Sequence, residues 1–205
     1  MSSPTTAKFA IALCGIKKEV DINAYLCEQG FLEFRDGAKE FADILPHSKA
    51  YSLIPGRIFI NLRGRELRGS VEREDYEGLR EEIAESLLEL KDPDTGDRVI
   101  QRVYKREELY AGPYFDRAAD LIAHPHRGYD LKAKIGGNSL FGRSHRVGMH
   151  TYDDASLFVK GHDLRVDRAI SILDVTPTIF DLMDFPVPEE LEGERACCSL
   201  EGCRN

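Results

Sequence analysis

The side chains that could carry chemistry in this chain are few. Its six histidines are His47, His124, His126, His145, His150 and His162, and four of them fall between 124 and 150. His150 stands in Gly148-Met149-His150-Thr151-Tyr152-Asp153-Asp154. A glycine lets the backbone approach a ligand closely, and an imidazole can offer a ring nitrogen to a metal. Asp153 and Asp154 follow within reach, as ligands or as carboxylates that orient one. Taken alone, a histidine in a polar stretch is more often a surface or hydrogen-bonding residue. His124 and His126 are two apart, so on an extended chain they share one face, a spacing that suits a metal; Pro125 between them favours a structural bend instead. Three of the five cysteines, Cys197, Cys198 and Cys203, crowd the last nine residues without a CxxC pair. A tail of free thiols is the preferred reading there, over a zinc module. Lys17-Lys18 and the arginine-rich stretch from Arg57 to Arg73 read as solvated faces. Neither a phosphate-cradling Walker loop nor a GxSxG elbow occurs.

The elements that must position these residues alternate in type. Lys17 to Leu32 suits a short helix ended by Gly30. Ala50 to Ile54 and Arg57 to Leu62 read as two strands with Pro55-Gly56 as the turn. From Glu74 to Lys91, Tyr76, Leu79, Ile83, Leu87 and Leu90 make one apolar stripe, the pattern of an amphipathic helix. Asp92-Pro93-Asp94-Thr95-Gly96 forces a turn. Val99 to Tyr104 reads as a strand, Glu107 to Tyr110 as a helical turn, and Leu121 to Ala123 as a buried strand leaving at Pro125. The glycine-rich residues 136–154 read as a long loop of the functional kind. Ser156 to Lys160 reads as a strand, and Thr176 as the cap of a last helix with Pro177 at its first position. The fold class expected is α/β.

Composition excludes several functions. With 28 Lys and Arg against 36 Asp and Glu in 205 residues, the net charge is −8. Neutralising phosphates is the first step of polymer binding, so no nucleic-acid polymer is expected as a partner. No apolar run approaches the ~20 residues of a membrane-spanning helix, so no membrane association is expected. The run Phe9 to Leu13 is too short for a secretory core, and an odd cysteine count at irregular spacing is no disulfide framework; a cytoplasmic setting is expected.

Longer stretches carry a resemblance. They are GIKKEVDINAYLCEQGFL at 15–32, YSLIPGRIFINLRGRELRG at 51–69 with VEREDYEGLREEI after it, SHRVGMHTYDDASLFVKG at 144–161, and SILDVTPTIFDLMDFPVPEELEG at 171–193. Together they resemble the C-terminal half of type I phosphodiesterase/nucleotide pyrophosphatase-like proteins of the alkaline phosphatase superfamily. The closing stretch is shared across the superfamily, sulfatases included. The resemblance implies a partial alkaline-phosphatase-like sheet with flanking helices, plus a small lid-like subdomain with a β-hairpin over about 47–115. It divides the chain into a divergent segment 1–14, the family portion 15–193 and a cysteine-containing tail 194–205.

The chemistry implied is hydrolysis of a small phosphodiester or nucleotide with two divalent metals, commonly zinc, and a Thr or Ser nucleophile. The histidine of the family's Gly-x-His motif is a metal ligand and matches His150, which tips that residue toward the ligand reading. The nucleophile and most of the other ligands belong to the half that has no counterpart here. Where the family's Asp-His-Gly ligand motif normally precedes Gly15, this chain has Ala10-Ile11-Ala12-Leu13, and the resemblance is expected to stop there. Even an open zinc site takes three protein ligands. The expectation is therefore the C-terminal part of a metal-dependent phosphoric ester hydrolase, inactive alone, with self-association through an exposed sheet edge. The alternative is a non-catalytic binding or regulatory module of the same descent.

Overall fold

A computed structural model describes residues 6–136, 139–160, 164–165, 168–196 and 198–199. In chain order the elements are β1 (Thr6–Gly15), β2 (Lys18–Asp21), α1 (Ile22–Glu28), β3 (Ala50–Ile54), β4 (Arg57–Ile60) and α2 (Tyr76–Glu89). There follow β5 (Ile100–Lys105), α3 (Arg106–Leu109), β6 (Leu121–Pro125), β7 (Tyr129–Lys132), β8 (Phe141–Gly142) and β9 (Gly148–Lys160). The last are β10 (Leu164–Arg165), α4 (Val175–Leu182) and β11 (Cys198–Ser199). The fold is mixed α/β, with several sheets and few helices, as the alternation of patterns predicts. Two compact units divide the chain, Cys14–Met149 on one side and Met1–Leu13 with His150–Asn205 on the other.

In Cys14–Met149 the central strand of a three-stranded sheet is β2. It pairs parallel with β7, Val20 facing Leu131, and antiparallel with β8, Val20 facing Phe141. Residues 17–32 are thus not one helix. Val20 is β-branched and fully buried between two partner strands, and that packing overrides the helical spacing. Asp21 ends the strand and caps α1, its carboxylate accepting from the Asn23 N–H at 3.1 Å. The chain leaves α1 through Gly30 at φ +75°, and the Phe31 N–H returns to the Leu26 carbonyl at 2.9 Å.

A four-stranded antiparallel sheet has the order β3-β4-β6-β5. Its first hairpin turns at Pro55-Gly56, as expected. Gly56 has φ +73°, and a Cβ there would lie 2.8 Å from the Ala123 carbonyl, so both backbone and packing require glycine. The edge strand β3 is not left open. Asn23 lays its amide along it, accepting from the Ser52 N–H at 2.8 Å and donating to the Ser52 carbonyl at 2.9 Å. One side chain thereby stands in for a neighbouring strand, and the same amide donates to the Lys134 carbonyl at 3.0 Å. Helix α2 packs against β5 and β6 with the predicted stripe of Tyr76, Leu79, Ile83 and Leu87, all buried, and Leu90 just beyond the helix is buried too. These join Ile58, Ile60, Ile100 and Leu121 in one core.

A fully buried carboxylate organises that core. Asp120 accepts from the Ile60 N–H at 2.7 Å, from both Arg65 amino groups at 2.6 and 2.7 Å, and from the Tyr76 hydroxyl at 2.5 Å. The arginine-rich stretch is therefore not wholly solvated: Arg65 is half-buried in a bidentate pair. Burial, then the bond to Asp120, pushes the Tyr76 hydroxyl up to about 12. Tyr76 in turn accepts from buried Arg80 at 3.1 Å, whose same amino group reaches Glu107 at 3.0 Å.

In the other unit β1 pairs with β9, and β10 with β11. The expected loop over 136–154 is corrected: β8, within Cys14–Met149, and the start of β9 occupy part of it. The last helix also starts earlier than expected. Asp174 is its N-cap residue and Thr176 lies exposed inside it. Asp174 is held by the Ser171 N–H at 2.8 Å, by Arg168 at 2.7 Å and by the Glu194 N–H at 2.9 Å, which fixes the start. Pro177 then falls third in the helix, where its missing N–H is still among the donors without an intrahelical partner.

Replacing Asp120 with Ala strips one side chain from the Ile60 amide, Arg65 and Tyr76 at once. Breaking such a buried pair costs about 3–5 kcal/mol. Urea unfolding of Asp120→Ala should show a loss of that order with an unchanged m-value, and Asp120→Asn a smaller one.

Candidate functional site

His150 sits near the start of β9, and its side chain is exposed. Just before it the backbone runs close to the end of β1: a Cβ on Gly148 would meet the Cys14 carbonyl at 3.5 Å, and the Ile16 N–H donates to the Val147 carbonyl at 3.2 Å. The side chains of Asp153 and Asp154, His162, the tail residues Cys197 and Cys203 and the side chain of Cys198 lie outside the described residues. His145 is exposed.

The histidine pair in β6 has structural surroundings. His124 is half-buried and stacks on Tyr104 of β5 at 6.4 Å between ring centroids. His126 is exposed just past the strand, and its N–H donates to the Val99 carbonyl at 2.8 Å. Among the described residues no three His, Cys, Asp or Glu side chains stand where they could hold a metal ion together. The described donors alone therefore do not fit a metal centre.

Other polar residues that the sequence pattern passed over do converge. Lys18, read as solvated, is half-buried and bridges Asp92 and Asp94, with 2.6 Å to the latter. The Tyr129 hydroxyl donates to the other Asp92 oxygen at 3.2 Å, and the Asp94 N–H reaches Asp92 at 2.9 Å. Burial acts to raise the Asp92 pKa, but the bonds from Lys18, the Asp94 N–H and Tyr129 outweigh it and hold it below the usual carboxylate range. The turn after α2 is thus tied to the start of β2. Only the local signal, Asp-Pro-Asp-Thr-Gly, is legible in the sequence; its partner lies 74 residues upstream.

A cavity of about 460 Å³ opens beside the end of α1, lined among others by Cys27, Glu33, Arg35, Asp36 and His47. At its wall His47 Nε2 and Glu33 Oε2 are 2.7 Å apart. Burial pushes the Cys27 thiol up to about 11, so it is neither a nucleophile nor a ready metal ligand near neutrality.

The structure gives a mixed α/β fold, and comparison gives the family. A family model for type I phosphodiesterase / nucleotide pyrophosphatase matches residues 10–153, and the chain belongs to that family. The match covers all of Cys14–Met149 and includes His150. It begins at 10, five residues before Gly15, so the likeness extends upstream of where the motifs place its start. It ends at 153, before the closing segment 171–193. No curated protein matches the chain. The family is generally metal-dependent, and its activity implies small phosphodiester substrates. Among the described residues no helix is long and apolar enough to cross a membrane.

Two outcomes follow from these geometries. Asp92 has a depressed folded-state pKa, so its contribution to stability is present above the unfolded value and lost as pH falls through the folded one. Lys18→Met should be less stable than the parent at pH 7, with the gap narrowing as pH is lowered through the carboxylate range; thermal melts across pH check it. In the folded chain, Cys27 should alkylate at pH 7.5 about 100-fold more slowly than after unfolding, as read by peptide mass mapping.

Proposed function

We propose that this chain is the C-terminal part of a metal-dependent phosphoric ester hydrolase of the phosphodiesterase/nucleotide pyrophosphatase type. As 205 residues it does not turn over a phosphodiester by itself. The observation that carries the reading is the family match reaching across the Gly-x-His position of His150. His150 is proposed as one ligand of a metal centre, zinc by family custom, whose other ligands and nucleophile come from polypeptide outside these residues. Its exposure on β9 agrees with a ligand that awaits its partners. The β3–β4 hairpin and α2 fall within 47–115, which supports reading that span as a lid-like insertion. A small phosphodiester or nucleotide is the substrate class, and a reducing cytoplasmic setting suits thiols such as Cys14 and Cys27, which are free.

The test is complementation. The chain alone, with zinc, should leave a chromogenic phosphodiester intact. Mixed with or fused to a family N-terminal half bearing the nucleophile, it should hydrolyse the same compound, and His150→Ala in that assembly should lower the rate by at least about 100-fold. Turnover by the chain alone contradicts the proposed incompleteness. A folded assembly that stays inactive favours the non-catalytic module, and an active one indifferent to His150→Ala overturns the ligand assignment of His150.

A further inference from the structure

The Cys14–Met149 unit holds a second cavity, of about 290 Å³, formed wholly by residues between 41 and 68. Its walls are mainly apolar. Phe41, Ile44 and Leu45 line it and are half-buried, and Tyr51 of β3 adds a second aromatic wall. The Tyr51 ring is held by stacking on Phe59, with 5.8 Å between centroids. Leu53 and Leu67 also line the cavity and are exposed, so it opens to water. The charged members of the lining are already provided for. Glu66 is bonded by Arg65 at 3.1 Å, and Arg68 is exposed, with its charge in water. Burial, then the Glu66 carboxylate, pushes the Tyr51 hydroxyl above its ordinary range, so it stays neutral.

One polar group in the lining has no partner. Asn61 directly follows β4 and is only 6% exposed. Its amide nitrogen donates to the Ser48 carbonyl at 2.8 Å and to the Arg68 carbonyl at 3.1 Å. Both partners can only accept, so the nitrogen must face them and the oxygen must face the other way. The Asn61 backbone is used as well: its N–H donates to the Lys49 carbonyl and its carbonyl accepts from the Ser70 N–H, both at 2.8 Å. Asn61 Oδ1 alone accepts nothing among the described residues. The fully enclosed side-chain atoms without a partner are Asp21 Oδ2 and Arg80 Nε, so Asn61 Oδ1 is not sealed in. It opens onto the space that Asn61 lines, which is this cavity. A bare acceptor on a buried residue in an apolar wall is the kind of group that orients a small molecule.

We propose that this cavity binds a neutral, mostly apolar molecule of one or two rings that carries an N–H or O–H donor, and that Asn61 Oδ1 accepts from that donor. Size sets the ring count. A dry apolar cavity of roughly 150 Å³ takes benzene, so this one suits a fused pair of rings. Phe41 and Tyr51 offer aromatic faces and edges to such a ligand. Charge sets the neutrality. An anion would meet Asn61 Oδ1 and Glu66 as opposing acceptors, and a cation would find Glu66 already taken by Arg65. The donor sets the specificity, because a ligand without one leaves the Asn61 oxygen desolvated and unpaired. The inference does not depend on the hydrolase reading, in which no residue from 41 to 68 is a metal ligand.

Titration of the whole chain with indole, and separately with benzofuran, tests it, read from backbone amide NMR shifts. Benzofuran has the shape of indole with an acceptor oxygen in place of the N–H. Indole should give saturable shifts centred on residues 41–68 at concentrations up to about 2 mM, and should bind at least about fivefold more tightly than benzofuran. Replacing Asn61 would also break its bonds to Ser48 and Arg68, so the variant of choice is Leu53→Asp, at an exposed position of the lining. It should weaken indole by at least about tenfold, since it sets a charge in the apolar wall, and leave the rest of the spectrum unchanged. Absence of saturable binding, equal binding of benzofuran, or indole binding that Leu53→Asp leaves untouched overturns the inference.

Discussion

One carboxylate decides how the larger unit holds together. Asp120 has no exposed surface, and a bare carboxylate in such a place is costly unless every lone pair is used. The Ile60 amide, the forked Arg65 guanidinium and the Tyr76 hydroxyl use them, and those donors belong to β4, to the loop after it and to the first residue of α2. The sheet cannot form its β4–β6 pairing without bringing Asp120 inside, and Asp120 cannot go inside without the loop and the helix. Local choices become cooperative in this way: satisfying one charge obliges three elements to arrive together. The same logic works at the sheet edge, where Asn23 satisfies Ser52 and Lys134 at once.

The parts of the fold legible in the sequence are those whose determinants are local. The stripe of α2 is read from five apolar residues, and the hairpin turn from Pro55-Gly56, because spacing and backbone chirality suffice. Within 17–32 the helix is legible from Ile22 on, whereas the strand before it is fixed by pairing with β7 and β8, which are remote in sequence. Thr176 before Pro177 has the residue types of a cap. The actual cap, Asp174, is chosen by contacts from Arg168 and Glu194, the second of them 20 residues away. Lys18 and Arg65 read as solvated in the sequence for the same reason: their acidic partners, Asp92 and Asp120, are 74 and 55 residues distant.

The candidate site shows the limit more sharply. Nothing in the spacing around His150 separates a ligand from a surface imidazole, and the family likeness alone shifts the balance. The structure leaves the ring exposed and brings no second and third donor to it among the described residues. One imidazole contributes a bond and a direction but no cage, since a metal's affinity comes from several donors fixed relative to each other before it arrives.

The two units differ in how far they satisfy themselves. In Cys14–Met149, among the described residues, only Asp21 Oδ2 and Arg80 Nε are buried side-chain polar atoms without a hydrogen bond, and the core is continuous from α1 to β7. From Ile172 to Phe185 the opposite holds: the polar groups around Asp174 are well partnered while five large apolar side chains face water. A segment with good polar closure and poor apolar closure is not simply unfolding. Its backbone is specified, and what it lacks is a covering surface, because apolar contact is non-directional while capping is not. His150 belongs to this second unit. The residue that carries the functional expectation therefore belongs to the unit in which, among the described residues, apolar side chains from Ile172 to Phe185 are left in water while the polar groups around Asp174 are closed.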